Sequence, residues 1–201
     1  MAAQAFQTEI RELDLTETVP DPVLAAQTVS DPYAFGELYL RYVDRVYRHC
    51  YRKLGSREAA ENATSLVFTK ALSAIGRFDG SRGTFAAWLF TIANNVLTDQ
   101  FRAERHYRAV SEMPEQIDPA RSPEEVAVAR EQAGDLRNAL AMLTPREREV
   151  IELRLAGLGS AEISEVLGCR KNTVAQAQFR AIGRLRGLLG AGATQQGKDN
   201  V

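Results

Sequence analysis

The stretch from Thr144 to Leu189, TPREREVIELRLAGLGSAEISEVLGCRKNTVAQAQFRAIGRLRGLL, constrains the fold more than any other part of this chain. Thr144 and Glu147 stand at capping-box spacing with Pro145 at the first helical position, so the free backbone donors of a helix start are satisfied reciprocally. That helix carries Val150, Ile151, Leu153 and Leu155 and stops at Gly157. A short second helix from Ala161 carries Ile163, Val166 and Leu167 and stops at Gly168, glycine being the residue that takes left-handed backbone without steric cost. After Cys169-Arg170-Lys171 a third helix begins near Asn172, burying Val174, Ala181, Leu185 and Leu188 at helical spacing and turning Thr173, Gln176 and Arg180 outward. Two helices joined by a tight turn, the second with a polar outward row, form a helix-turn-helix, the geometry that delivers a helix into the DNA major groove.

Upstream, every periodic segment is also helical. A helix opened by Asp31-Pro32 places Phe35, Leu38, Tyr39, Tyr42, Val43, Val46, Tyr47, Cys50 and Leu54 on one stripe and ends at Gly55. The next, from Ser56, buries Ala60, Ala63, Val67, Ala71 and Ile75, and gives way to the polar loop Gly76–Gly83, which holds Phe78 between Arg77 and Arg82. A helix from Thr84 or Phe85 turns Phe85, Trp88, Leu89, Ile92, Ala93 and Val96 inward, and Asn95, Asp99, Arg102 and His106 outward. Ser122-Pro123-Glu124-Glu125 is a further capping box, opening a helix with Val126, Ala129, Ala133, Leu136, Leu140 and Leu143.

The formal net charge of −1 conceals a partition along the chain. Residues 1–32 sum to minus five, 33–108 to plus five, 109–133 to minus four and 134–189 to plus three. Two weakly basic modules, separated and preceded by acidic segments, are nucleic-acid surfaces too lightly charged to grip DNA strongly alone, because affinity follows the number of phosphates neutralised. The expected organisation is therefore all-α, with two small helical domains. A mobile acidic extension over 1–30 precedes the first domain, 31–108; a flexible acidic linker over 109–122 leads to the helix-turn-helix domain, 123–189, and a disordered tail follows over 190–201.

Cys50 and Cys169 fall in different modules, so neither a disulfide framework nor metal-ligand spacing is indicated. No basic-apolar leader and no apolar run long enough to cross a bilayer is present, and a cytoplasmic location is expected. No nucleophile–base arrangement, phosphate-cradling glycine loop or pair of catalytic carboxylates can be assembled from the spacing. A non-enzyme with no cofactor and no metal is expected.

Taken together, FGELYLRYVDRVYRHCYRKLGSREAAENATSLVFTKAL, FAAWLFTIANNVLTDQFR, LTPREREVIELR and TVAQAQFRAIGRLR resemble an extracytoplasmic-function sigma factor of the bacterial sigma-70 superfamily. The resemblance covers about residues 33–108 and 134–189, in order, with a linker between. It implies a dissociable subunit of RNA polymerase that aids promoter opening and transcription initiation. The first module would meet the core enzyme, through its beta and beta-prime subunits, and the minus-ten element; the second would meet the minus-thirty-five element. An anti-sigma factor is a further partner that the resemblance implies.

Carried over by position, Glu61, Asn62, Ser65, Leu66 and Phe68 would face the polymerase. Phe78, Arg82 and Thr84 lie in the loop that would receive an unstacked promoter base, and Asn94, Asn95, Asp99, Arg102 and Arg105 on the helix that would meet the minus-ten duplex edge. Arg170, Lys171, Asn172, Thr173, Gln176 and Arg180 would hold and read the minus-thirty-five element. Glu112, Glu115 and Asp118 of the linker would follow a basic nucleic-acid path in the polymerase. The chain departs from the family pattern at Asn62, usually Asp; at Leu66, usually polar or acidic; and at Ala175, often basic. Two other readings remain open at this point: a sigma-like decoy that binds polymerase or an anti-sigma factor without initiating, and a stand-alone helix-turn-helix regulator. By spacing alone Trp88 is a core residue, and His49 and His106 are isolated.

Overall fold

Helices account for all the regular structure in the computed structural model, which describes residues 19–108 and 138–195, with side chains over 19–103 and 138–187. The first module contains α1 (Asp21–Ser30), α2 (Phe35–Leu54), α3 (Arg57–Ala74) and α4 (Phe85–Arg108), with tight 3-10 turns at Pro32–Ala34 and Ile75–Arg77. The second contains a helical turn over 138–141, then α5 (Pro145–Leu155), α6 (Ser160–Val166) and α7 (Lys171–Gln195). Residues 1–18, the linker 109–122, and the Ser122 capping box with the first part of its helix lie outside the described residues, as do the side chains of Arg105, His106 and Leu188.

The predicted boundaries of the first module have local causes. Gly55 ends α2 in left-handed backbone (φ 73°), and the Ser56 hydroxyl accepts from the Ala59 amide at 3.3 Å to start α3. Leu38, Val46, Cys50, Ala60, Ala63, Val67, Ala71, Leu89, Phe90 and Ala93 are fully buried where α2, α3 and α4 meet. The alanines of α3 let the helices approach closely, while each buried Leu- or Val-sized side chain contributes about 1.5–3 kcal/mol.

Three expectations need correction. The segment 21–30 is not a mobile extension: it forms α1, with Leu24, Ala25 and Thr28 buried. Asp21 anchors it to α2, accepting from Arg41 Nη1 at 2.7 Å and from the Tyr42 hydroxyl. Its apolar face is too small to read as a helix without α2 as partner. The tail expected from residue 190 is helical through Gln195, because small residues without an apolar stripe can still propagate an established helix by one hydrogen bond each. Phe68, expected to face outward, is 5% exposed and packs edge-on to Phe35 and Tyr39, with centroids 6.3 and 4.8 Å away. It lies one residue past Val67 on the edge of the buried stripe, and the ring is large enough to reach the α2 aromatics.

The second module is built on caps. Thr144 and Glu147 form the expected capping box, and Gly157 (φ 85°) and Gly168 (φ 57°) end α5 and α6. α6 begins at Ser160 and α7 at Lys171, each one residue before the sequence expectation. Leu140, Leu143, Ile151 and Ala181 form a small cluster of their own, with Leu185 beside it. Val150, Leu153, Ala156, Leu158, Ile163, Val174 and Ala177 instead join the cluster that continues through the first module.

Candidate nucleic-acid interface

α7 divides along its length into a buried and an open face. Val174, Ala177 and Ala181 are buried, whereas Asn172, Thr173, Gln176 and Arg180 are exposed on the opposite side, with Arg170 and Lys171 exposed at its start. A helix turns 100° per residue, so positions 172, 173, 176, 179 and 180 share one face. Phe179 is on it, 82% exposed, and the sequence reading overlooked it. Its signal was present: an aromatic residue off the Val174–Ala181 stripe and between two expected contact residues.

The face is held at a set angle by Arg154 of α5. Its guanidinium donates to Gln178 Oε1 (2.8 Å from Nη2), to the Leu158 carbonyl (3.0 Å) and to the Ser160 hydroxyl (2.6 Å), tying together all three helices of the unit. Glu147 sits beneath, with Arg184 at 3.4 Å and Arg180 at 3.8 Å. The Thr144 backbone amide, then the Thr144 hydroxyl and the two arginines, hold its carboxyl below the usual carboxylate range. That carboxylate also orients Arg180 along the exposed face.

In the first module, Thr84 begins α4 by accepting from the Ala87 amide at 3.1 Å. The loop before it folds around Asp79, which accepts from the Ser81 amide and hydroxyl at 3.0 and 2.7 Å, and these bonds lower its pKa. Phe78 is half-buried, with its ring 5.5 Å from both Phe85 and Trp88. It is thus one wall of an aromatic cluster and not an isolated ring among arginines. Trp88 is half-buried as well, and with Phe78, Arg77, Arg82 and Thr84 it lines a cavity of about 250 Å³. Asp79 and Glu165 line it too, so aromatic walls that suit a flat ring stand under a rim carrying both charges.

Of the α4 residues expected to meet DNA, Asn95, Asp99 and Arg102 are exposed, with Asp99 and Arg102 paired at 3.7 Å. Asn94 is not on that face: its Oδ1 lies 3.3 Å from Nε2 of buried His49. One residue of helical rotation separates it from Asn95, enough to turn it inward. On α3, Glu61, Asn62, Ser65 and Leu66 are exposed, Leu66 at 40%. Glu61 and Ser65 line a groove of about 520 Å³ with Tyr39, Val43, Tyr47, Phe68 and Leu72, whereas Asn62 and Leu66 are not part of its lining.

His49, isolated by spacing, finds its partners only in the fold. Fully buried, it rests edge-on to Phe90 at 5.4 Å. Burial, reinforced by the nearby charges of Lys53 and Arg52, pushes its pKa down to about 3. The Cys50 thiol beside it is pushed up to about 11 by burial. Among the described residues no cluster of three or more His, Cys, Asp or Glu side chains could hold a metal ion, and no helix is long and apolar enough to cross a membrane.

Residues 38–107 match the family model for Sigma-70 region 2, and residues 133–185 that for Sigma-70, region 4. The chain is similar to the ECF RNA polymerase sigma factor BldN of Streptomyces coelicolor, at 38% identity over 159 residues, covering 78% of this chain and 60% of BldN. It thus spans less than two thirds of that relative's length. It is also similar to the ECF RNA polymerase sigma factor ShbA of Streptomyces griseus, at 34% identity over 152 residues, covering 70% of this chain and 80% of ShbA. Among solved structures it is similar to CnrH, seen in complex with the cytosolic domain of CnrY, with a TM-score of 0.66 and 29% identity, covering 85% of this chain and 97% of that one.

Proposed function

Since the chain belongs to the ECF RNA polymerase sigma factors, with regions 2 and 4 in order, we propose that it directs core RNA polymerase to specific promoters and aids their opening. The observation that carries this reading is the pairing of an exposed reading helix, α7, with a region 2 module whose loop frames an aromatic hollow. The chain is a non-catalytic subunit that acts in the cytoplasm, and the phosphoryl-transfer chemistry belongs to the polymerase.

The roles divide by module. Thr173, Gln176 and Arg180 read or clamp the minus-thirty-five element, aided by Arg170, Lys171 and Asn172. The exposed ring of Phe179 offers an apolar contact of the kind that fits a thymine methyl. Phe78, Arg82 and Thr84 receive a promoter base, and Asn95, Asp99, Arg102 and Arg105 meet the duplex edge. Glu61, Asn62, Ser65 and Leu66 face the beta-prime and beta subunits, with Phe68 as the floor of the groove beside them. Leu66, 40% exposed, gains an apolar contact there worth on the order of 1 kcal/mol, which partly offsets the charge missing at Asn62. Glu112, Glu115 and Asp118 of the linker follow a basic nucleic-acid path in the polymerase. Neither basic module grips DNA tightly, so specificity arises when polymerase holds both and each raises the effective concentration of the other. An anti-sigma factor is a further partner.

Run-off transcription from genomic promoter fragments, with purified core enzyme and with or without this chain, tests the reading. Promoter-specific transcripts are expected only when both are present. Binding of the free chain to promoter duplex at physiological salt as tight as that of the holoenzyme would instead favour a stand-alone regulator. Alanine at Thr173, Gln176 or Arg180 should cost about 1–3 kcal/mol of promoter binding where a base edge is lost, with relaxed preference at one position; a lost phosphate contact weakens all sequences alike.

A further inference from the structure

α1 lies before residue 38, where the match to region 2 begins, yet it is tied firmly into the first module. Its start is fixed to α2 by one guanidinium: Arg41 Nη1 donates to the Val19 carbonyl and to Asp21 Oδ1, both at 2.7 Å, while Nη2 donates to Glu37 Oε1 at 2.8 Å. The Tyr42 hydroxyl donates to the other Asp21 oxygen. The two oxygens of one carboxylate thus hold two consecutive residues of α2. The Asp21 and Arg41 side chains are only 22% and 20% exposed, so the pair is largely shielded from the water that weakens an ion pair at the surface.

From this anchor two lines of contact lead to the loop before α4. Pro22, the next residue, packs on the loop itself: a Cβ at Gly80 would fall 3.0 Å from Pro22 Cβ and 3.2 Å from Cγ, so the missing side chain lets the loop lie against α1. Through Tyr42 runs the second line, its buried ring 5.3 Å from that of Phe85, which in turn is 5.5 Å from Phe78 and 5.4 Å from Trp88. α1 also packs against the Ile75–Arg77 turn from which the loop departs. Neither Asp21 nor Pro22 lines the aromatic hollow of Phe78 and Trp88, so both act on it only through these neighbours.

We propose that α1 is a buttress for promoter opening and that Asp21 is its positioning residue: by fixing Pro22 against Gly80 and Tyr42 against Phe85, it holds the loop with the Phe78–Trp88 hollow formed before a base arrives. The inference rests on the reading of that loop as the receiver of an unstacked promoter base. A loop already held in its receiving shape gives up less freedom on binding. One released from α1 binds with an affinity reduced by the fraction of molecules still in that shape. Since a base reaches the hollow only on leaving its stack, the loss falls on strand opening, and duplex binding through α7 is untouched.

The test uses holoenzyme assembled from core polymerase and the full chain, on a promoter found by run-off transcription and carrying 2-aminopurine in its minus-ten element. Fluorescence then reports strand opening, and duplex binding is measured separately. Asp21→Ala should slow opening about tenfold, the drop expected if about a tenth of the variant loops keep the receiving shape, with duplex binding unchanged. Asp21→Asn, which retains an oxygen for the Tyr42 hydroxyl, should recover part of the rate. Gly80→Ala presses the loop off Pro22 without touching the anchor; it should slow opening too, and add little to Asp21→Ala because both act on one element. Abasic replacement gives the readout that a mere loss of stability would not move. At the minus-ten position where it slows the wild type most, wild-type and Asp21→Ala holoenzymes should open alike. Wild-type opening by folded Asp21→Ala, or by Gly80→Ala where Asp21→Ala loses its helical circular dichroism, would overturn the proposal, as would an Asp21→Ala defect that persists in full on the abasic promoter. The wild type separates the layers: if it opens the promoter and the variants match it, only the buttress falls, and if it opens none, the function reading falls and the buttress with it.

Discussion

The two modules solve the problem of a small core differently. The first packs α2, α3 and α4 around fully buried Leu38, Val46, Val67, Leu89 and Phe90. The second has one small cluster of Leu140, Leu143, Ile151, Ala181 and Leu185, packs its other apolar side chains in continuity with the first module's interior, and adds a capping box and the Arg154 fork. A domain this short buries too little surface for apolar packing alone to carry it. The difference teaches that region 4 in this chain is held in shape by polar ties and by company, region 2 by its own interior.

The largest effect that would sharpen this contrast comes from the first interior. Leu89→Ala should cost about 2–5 kcal/mol, since it removes a fully buried side chain whose surroundings relax only in part. Urea unfolding of the full chain measures it, and a loss under about 1 kcal/mol would show that the first module does not depend on this packing. Next comes Arg154→Ala, which breaks hydrogen bonds to Gln178, Leu158 and Ser160 at once. About 1.5–3 kcal/mol is expected, from bonds made to a charged donor. Amide hydrogen exchange should accelerate in α5–α7 and stay unchanged in α3. Uniform acceleration through both modules would break the comparison by making them one cooperative unit.

The smallest effect is a pH dependence at the boundary between the modules. His49 is faced by Arg52 and Lys53 of its own helix, Asn94 of α4 and Glu152 of α5. Its pKa is pushed down to about 3, against an ordinary value of 6.5, so the unfolded chain binds the proton more readily. Stability from this group is therefore complete well above pH 6.5 and declines as pH falls toward 3, by up to about 2 kcal/mol between pH 7 and pH 5. Thermal melts of wild type and His49→Gln at the two pH values check it: the decline should be smaller in the variant, and equal slopes would remove His49 from the account.

Much of this arrangement is legible in the sequence because it is local. Capping boxes, terminal glycines and helical stripes depend on neighbours within a few positions, so α2 to α7 fall within about a residue of expectation at most ends. What escapes reading depends on distant partners. Asp21 becomes an anchor only beside Arg41 and Tyr42, and Asn94 turns away from solvent only because His49 is there to meet it. Gly157 reads as a helix stop, yet its second duty, making room for Arg45, arises 112 positions away in the chain and leaves no local mark. Phe179 is a different case, its position legible by helical rotation and simply outweighed by the polar row around it.

Glu162 serves two parts of the molecule at once. One of its oxygens accepts from the Gly159 amide at 2.6 Å and so starts α6, while the other accepts from the Thr84 hydroxyl of the first module. The bond that keeps the helix folded and the bond that holds it against the first module use separate atoms of one carboxylate. Breaking the second leaves the first in place, and water replaces the Thr84 hydroxyl without any turn of α6 unwinding. Loss of the Thr84 partner is then a local exchange of hydrogen-bond partners and not an unfolding event, so α6 keeps its first turn whether or not that hydroxyl is in place.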